Sequence, residues 1–391
     1  MVWNKSSARY SFLLKIALLL LVVLSSFCFL DLQAHYMKNV YQDSISVVRN
    51  NYVMTPYEPN KTYDATQENI PLIVAWTDYF SKPLKNVLLP TLANCDSRCE
   101  FVDRKEHLIT KRNAAAYILH GRDMDLDDLP RQSSKHLNIL FLLESPYHTG
   151  SQIYRVPRNY FNATITYRQD SRYFHPYGQF QPRTQSDPVG SVITAQQVSD
   201  AIIHKKKGSL IFISNCHSPS KREKLIIELG KVTDVTVRGK CEDALSINTN
   251  TKSIYCKTDC SDDELINTHR FYIAFENSDC NDYITEKFYS RISQLLVPIV
   301  LKRRIYEAAG IPEHSYIAVD DFEDITELGN HLNFLLRNDT AYLRYFEWTK
   351  HFRKPDAYVG HALCTLCEDI YSRKKLIVSD IREFYDKDQC F

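Results

Sequence analysis

The stretch FYIAFENSDCNDYITEKFY, residues 271–289, decides how this chain reads. It opens with Phe271 to Phe275, aromatic, β-branched and apolar on both faces, a composition suited to a strand buried in a parallel sheet. A polar turn follows. Asp282 is then placed to cap a helix that carries Ile284, Phe288, Ile292 and Leu295 along one face. The strand delivers Glu276 and Asn277 to its carboxyl end, where open α/β sheets bind ligands. On the expected helix Tyr283 and Lys287 stand four residues apart, with Glu286 in the first turn. Two carboxylates, an amide, a phenol and an ammonium thus converge near a helix N-terminus. Lys287 and the helix dipole suit a diphosphate, and the carboxylates suit sugar hydroxyls.

This segment resembles the signature of the α1,3-fucosyltransferases, which reads close to F-Y-x-A-F-E-N-S, a short spacer, and D-Y-I-T-E-K. The matching residues are Phe271, Tyr272, Ala274, Phe275, Glu276, Asn277 and Ser278, then Asp282, Tyr283, Ile284, Thr285, Glu286 and Lys287. The resemblance runs from about residue 72 to 370 and is dense at 137–178 and 209–346. It implies a GT-B fold, GDP-fucose as donor, a glycan acceptor with GlcNAc, and inversion at the transferred sugar; the competing readings are a lumenal type II transferase using another nucleotide sugar and a catalytically silent glycan-binding membrane protein.

The rest of the chain is consistent with a globular enzyme. At 391 residues with a net charge of +1, it has room for two domains. The charge balance gives no support to nucleic-acid binding, and Lys205-Lys206-Lys207 reads as a solvated turn. Residues 16–30 are uncharged and mostly apolar. Lys5, Arg9 and Lys15 precede them, so the positive-inside rule leaves a short tail at 1–15 in the cytoplasm. The expected arrangement is a single-pass type II anchor in the Golgi membrane with the body lumenal; a cleaved signal peptide is the competing reading. Residues 31–69 show no sustained period and read as a stem. Asn60, Asn162 and Asn338 head glycosylation sequons. Ten of the eleven cysteines follow the anchor, an even number suited to disulfides. A homo-oligomer is left open.

From residue 70 onward, strand and helix signals alternate. Apolar runs at Leu72–Trp76, Ala114–Leu119, Leu137–Leu143 and Ala163–Tyr167 form one series. A second runs through Ser209–Ile213, Val232–Val237, Phe271–Phe275, Val297–Leu301 and Tyr316–Val319, with a helix over Phe322–Leu336. This predicts an α/β protein with two parallel-sheet, Rossmann-like domains facing across a cleft. The expected boundaries are 70–205 for the acceptor side, 206–360 for the donor side, and 361–391 for a segment returning to the first domain.

Two further elements carry candidate chemistry. Ser209–Ile213 leads into Ser214-Asn215, and Ser218-Pro219 reads as the start of a helix with Ser as N-cap, Leu225 and Leu229 on its buried face, and Gly230 as C-cap. Arg222 falls in its early turns, and the resemblance implies that this Arg holds donor phosphate; the adjacent Lys221 competes for the role. In the first series, Leu137–Leu143 is followed by Glu144-Ser145-Pro146-Tyr147-His148, similar to the family's F-E-S-P-x-H element. A carboxylate at that strand end faces the cleft, which makes Glu144 the candidate base, with His148 as runner-up or acceptor contact. Ser145 to Arg158 is the expected acceptor loop.

Asp123-Met124-Asp125 has the shape of a metal-binding motif but sits in an acidic loop. The resemblance implies Arg, Lys and helix dipoles in place of a metal. No catalytic metal and no tightly bound cofactor are expected, with Mn²⁺ or Mg²⁺ stimulation left open. Cys95 and Cys99, with Cys364 and Cys367, have spacings that also suit a structural zinc site. The resemblance implies instead that each of Cys364 and Cys367 bonds to one of Cys95 and Cys99. Cys216, Cys241, Cys256, Cys260, Cys280 and Cys390 are expected to pair largely among themselves.

Overall fold

The computed structural model describes residues 70–391, apart from 242–244, 246–252, 257–260, 377 and 379. The expected tail, anchor and stem, with the Asn60 sequon, lie outside the described residues. Among the described residues no helix is long and apolar enough to cross a membrane.

Two parallel sheets organise the chain. The first half contains β1 (Leu72–Ala75), β2 (Asp78–Tyr79), β3 (Lys82–Pro83), β4 (Glu100–Asp103), β5 (Ala116–His120), β6 (Leu137–Leu142), β7 (Ala163–Thr166) and β8 (Tyr173–Phe174). β2 and β3 form an antiparallel hairpin. The other strands pair in parallel in the order β4-β1-β5-β6-β7-β8. The second half contains β9 (Lys207–Ile213), β10 (Val235–Gly239), β11 (Ser253–Cys256), β12 (His269–Ile273), β13 (Val297–Val300) and β14 (Ile317–Ala318). They pair in parallel in the order β11-β10-β9-β12-β13-β14. That order reverses direction between β9 and β12, and doubly wound sheets bind ligands at the carboxyl ends on either side of such a reversal.

The central strands are buried throughout, which is why continuous apolar runs locate them. The strands that the hydrophobic reading missed are β2 and β3, polar and only two residues each, and three at the sheet margins. β4 has two polar residues of four, β8 is two residues long, and β11 lies beyond the second series' first pair. β12 begins two residues earlier than expected because its polar start is paired. Arg270 is buried and donates to the carbonyls of Lys205 and Leu335 at 2.9 and 2.7 Å. His269 Nε2 and Nδ1 bond Thr236 Oγ1 and the Leu265 carbonyl, and burial pushes this imidazole down to about 4.

Helix α1 (Ala195–His204) starts at a capping box formed by Thr194 and Gln197. Its Val198 and Ile202 join the core of the second half, together with Leu210, Phe271 and Leu296. The expected boundary at 205 therefore falls behind a helix that packs with the second sheet. The remaining helices used below are α2 (Arg222–Gly230), α3 (Glu286–Ser293), α4 (Ile325–Arg337), α5 (Ala362–Tyr371) and α6 (Ile381–Asp386). α4 is capped by Asp324, whose carboxylate accepts from the Thr326 and Glu327 amides.

Lys205, read in the sequence as part of a solvated basic turn, is instead 1 % exposed at the end of α1, where its Nζ donates to the Ile266 carbonyl at 2.6 Å. Burial pushes this amine down to about 7 from an ordinary 10.5. The unfolded chain therefore binds more protons between those values, and stability rises with pH across that window. Lys205→Met keeps the length of the side chain and removes the charge. It is expected to stabilise the protein by about 2 kcal/mol at pH 6, with the gain shrinking toward pH 10 because the parent's cost of burying this amine fades as the unfolded chain also loses the proton, whereas the Ile266 carbonyl loses its donor at every pH. Calorimetric unfolding at pH 6 and pH 9 checks this; an equal effect at both contradicts it.

Disulfides join Cys95 to Cys364 and Cys99 to Cys367, returning α5 to the first half, where Arg172 also grips Asp369 through two bonds. The sulfurs that a zinc site would share are thus paired off. Two more bridges are Cys216–Cys241 and Cys280–Cys390; Cys260 lies outside the described residues. Of the sequons, Asn162 is committed within the fold: its Oδ1 accepts from the Asn138 amide at 2.7 Å and its Nδ2 donates to the Leu376 carbonyl at 3.1 Å. Asn338 caps the short helix Asp339–Leu343 through its Oδ1, beside exposed Asp339 and Thr340.

Candidate active site

Beyond β12, Ala274 and Phe275 stay buried, and the Ala274 amide donates to the Ile299 carbonyl at 2.8 Å. Glu276 comes next, 5 % exposed. Its carboxylate accepts from the Thr285 amide and hydroxyl, both at 2.8 Å, and pairs with Lys287 Nζ at 3.1 Å. Lys287 also donates to Thr285 Oγ1 at 2.9 Å and meets Glu286 at 3.3 Å. Burial works to lower the Lys287 amine, but Glu276 and Glu286 outweigh it and hold the ammonium above its ordinary value. Burial raises the Glu276 carboxyl, against Lys287 and the Thr285 donors.

Thr285, not Asp282, caps α3. Asp282 lies three residues before that cap in the left-handed region, φ +60°, and its carboxylate accepts from the Gln169 amide and side chain at 3.0 and 3.1 Å. The acid expected to start the helix instead ties this loop to the first half. Tyr283 therefore precedes α3, has no helical pairing with Lys287, and is buried with its ring 5.1 Å from that of Tyr167. Asn277 is half-buried, and the exposed Glu286 side chain opens outward from the first turn.

The second phosphate-type element is displaced in a similar way. α2 begins at Arg222, four residues after the expected N-cap Ser218, and ends in Gly230 with Lys231 as C-cap. The reason lies in Ser220: its amide donates to the Asn277 carbonyl at 3.1 Å and its hydroxyl to the Glu276 carbonyl at 2.7 Å. Those bonds hold residues 218–221 as a turn against the end of β12. Arg222, 3 % exposed, donates to the Phe275 carbonyl at 2.7 Å and the Asn215 carbonyl at 3.4 Å, one from each side of the strand reversal. Its Nε is buried without a partner. Lys221 is exposed, as are Ser214 and Asn215 at the end of β9.

The first half reaches the same crevice through β6. Glu144 follows that strand, half-buried, and Ser145 Oγ shares a 2.8 Å hydrogen bond with Ser278 Oγ of the second half. His148 Nδ1 lies 3.2 Å from Ser145 Oγ and 3.3 Å from Ser278 Oγ. Burial raises the Glu144 carboxyl; Arg122 and Lys287 pull it down, while Glu286 and Glu276 push it up. Burial, then Arg122, Arg222 and Lys287, lower the His148 imidazole. The structure thus brings Glu144 and His148 into the electrostatic reach of Arg222, Glu276, Glu286 and Lys287.

Sequence reasoning missed Tyr79 on the β2–β3 hairpin. Burial, then Glu144 and Glu286, push its hydroxyl up to about 12, and its ring packs on His120 and Phe141 at 4.8 and 5.5 Å. A two-residue strand carries no period that could reveal it. Ser278 and Thr285 lie inside the quoted stretch, but small hydroxyls read as turn and helix filler. Asp123 is occupied by His120 Nδ1 at 2.6 Å and the Phe80 amide at 2.7 Å, and Asp125 caps a short turn. Among the described residues no three His, Cys, Asp or Glu side chains converge to hold a metal.

Family models match the chain in both halves: the fucosyltransferase N-terminal family over residues 68–178 and the glycosyltransferase family 10 (fucosyltransferase) C-terminal family over residues 202–384. The alpha-(1,3)-fucosyltransferase fut-5 of Caenorhabditis elegans is 30% identical over 332 residues, covering 80% of this chain and 81% of the relative. The alpha-(1,3)-fucosyltransferase fut-1 of the same organism is 33% identical over 285 residues, 72% of this chain but 59% of the relative. The 4-galactosyl-N-acetylglucosaminide 3-alpha-L-fucosyltransferase 9 of Rattus norvegicus is 33% identical over 276 residues, 68% of this chain and 70% of the relative. A crystal structure of an alpha1,3-fucosyltransferase with GDP aligns with a TM-score of 0.49 and 13% identity over 80% of this chain and 94% of that one.

Proposed function

The chain belongs to glycosyltransferase family 10, the fucosyltransferases, and on that footing we propose that it moves L-fucose from GDP-β-L-fucose to the 3-hydroxyl of a GlcNAc unit on a glycan, with inversion. The observation that carries this reading is the crevice itself, where Glu144 of one half stands within the field of Lys287, Glu286 and Glu276 of the other, across the Ser145–Ser278 bridge.

In this reading the diphosphate lies over the N-termini of α2 and α3. Lys287 supplies the charge, and the unpartnered Nε of Arg222 supplies a donor. Glu286 and Asn277 take sugar or ribose hydroxyls, Ser214 and Asn215 flank the nucleotide, and Glu276 fixes Lys287. Glu144, its carboxyl raised by burial, accepts the proton of the acceptor hydroxyl as that oxygen bonds to the anomeric carbon. The bond from that carbon to the diphosphate breaks on the opposite face, and GDP leaves with the electron pair, its charge met by Lys287. His148 stands on the acceptor side.

The paired cysteines support an oxidising compartment, in keeping with a Golgi type II membrane protein whose body is lumenal. Calorimetric titration with GDP, UDP and CMP, with and without EDTA, tests the donor assignment. GDP is expected to bind tightest in both conditions; a preference for UDP or CMP, or binding that requires a divalent ion, contradicts it.

A further inference from the structure

Residues 380–391 make contacts that the reaction above leaves unused. α6 is capped by Asp380, which accepts from the Arg382 amide. One residue before its end stands Tyr385, 1 % exposed, whose hydroxyl donates to the backbone carbonyl of Glu144. Tyr167, whose hydroxyl interacts with that of Tyr385, sets its ring against Tyr283 of the donor loop. The helix is held to the first half by Tyr154, which donates to Asp386 at 3.0 Å, and by Arg168, which stacks on Phe384 at 4.1 Å and donates to its carbonyl.

Past α6 the chain crosses to the other side of the crevice and runs antiparallel beside residues 279–281. The Asn281 amide donates to the Gln389 carbonyl at 2.8 Å, and the Phe391 amide donates to the Asp279 carbonyl at 2.9 Å. Between these bonds Cys390 is joined to buried Cys280, and Arg304 lies over the Phe391 ring at 3.6 Å. Cys280 sits inside the loop that runs from Glu276 to Thr285. The ends of that loop are joined by the Thr285 donors to the Glu276 carboxylate, while between them its internal backbone bonds are Tyr283 amide to Cys280 carbonyl and Ile284 amide to Asp282 carbonyl. One segment therefore touches the backbone of the candidate base and is cross-linked to the loop behind the donor lysine.

We propose that residues 380–391 are a positioning element of the transferase. Tyr385 fixes the height of Glu144 through its carbonyl, and Cys390, acting through Cys280, fixes the loop that sets Glu276 and Thr285 under Lys287. The Tyr385 half of this proposal rests on the reading of Glu144 as the base; the Cys390 half rests on the geometry of the loop for its exchange readout and on the reading of Lys287 as the donor lysine for its effect on GDP. A strap that served bulk stability alone would weaken every step together, whereas these contacts separate: one governs the base, the other the donor.

The test compares Tyr385→Phe with the double variant Cys280→Ala/Cys390→Ala in the full-length protein, reading GDP affinity, kcat at saturating donor, and backbone amide exchange. Since a displacement of about 1 Å costs catalysis up to about a hundredfold, Tyr385→Phe is expected to lower kcat about tenfold and leave GDP affinity unchanged. The cysteine variant is expected to weaken GDP about tenfold, keep kcat within about threefold, and speed exchange across 279–285 but not across 100–103. Exchange does not depend on which sugar is transferred, so a wrong donor assignment would leave that result standing. Unchanged exchange and GDP affinity in the cysteine variant, or unchanged kcat in Tyr385→Phe, would overturn the proposal. So would loss of the folded state in either variant, which would assign these contacts to bulk stability.

Discussion

Glu144→Gln is expected to bind GDP as the parent does and to lose turnover by about 10²–10⁴, the range for removal of a general base. The substitution keeps the shape of the side chain and takes away its ability to accept a proton. The carbonyl of residue 144, held by Tyr385, is untouched, so the loop should keep its place. A pH signature accompanies the loss. Burial raises the Glu144 carboxyl, so the parent's turnover should rise with pH as that group ionises, from a midpoint above the ordinary carboxylate range. In the Gln variant this limb disappears. Stopped assays from pH 4.5 to 8 read both effects. Near-parental turnover would pass the role to His148, whose imidazole burial and nearby cations keep neutral enough to accept a proton.

Arg222→Ala and Lys287→Ala are expected to weaken GDP by roughly 10- to 100-fold each, the equivalent of about 1.5–3 kcal/mol for a charge-assisted contact. The two differ in what else they disturb. Lys287 balances Glu276, so its removal leaves a buried carboxylate with only the Thr285 donors, and the Glu276 carboxyl should titrate still higher. Arg222 also binds the Asn215 and Phe275 carbonyls just past β9 and β12, so its loss should lower thermal stability as well as affinity. Titration calorimetry beside thermal unfolding separates the two. Unchanged GDP affinity in both variants contradicts the donor site.

The central strands were legible because parallel strands covered on both faces are predominantly apolar, as Val297–Val300 is throughout and Leu137–Leu142 is apart from Asn138. The helix starts were not. Asp282 and Ser218 carry the right side chains for N-caps, yet tertiary bonds override both: Gln169 claims the Asp282 carboxylate, and Ser220 pins the turn after Ser218 to the Glu276 and Asn277 carbonyls. Local preference cannot see a bond 113 residues away. The residue types of the site were visible in one short stretch, whereas its closure was not. The Ser145–Ser278 bridge, the Tyr79 hairpin and the Tyr385 contact all join positions far apart in the chain, and none leaves a periodic mark.

Fucosyl transfer at a crevice shared by the two halves is decided by the product. The purified protein is incubated with GDP-β-L-fucose and a GlcNAc-containing oligosaccharide, with and without EDTA, and the new linkage is read by proton NMR. An α-L-fucose on the GlcNAc 3-hydroxyl, formed in both conditions, is the expected result. A β-linked fucose, or no transfer from GDP-fucose where another nucleotide sugar is consumed, would contradict the account.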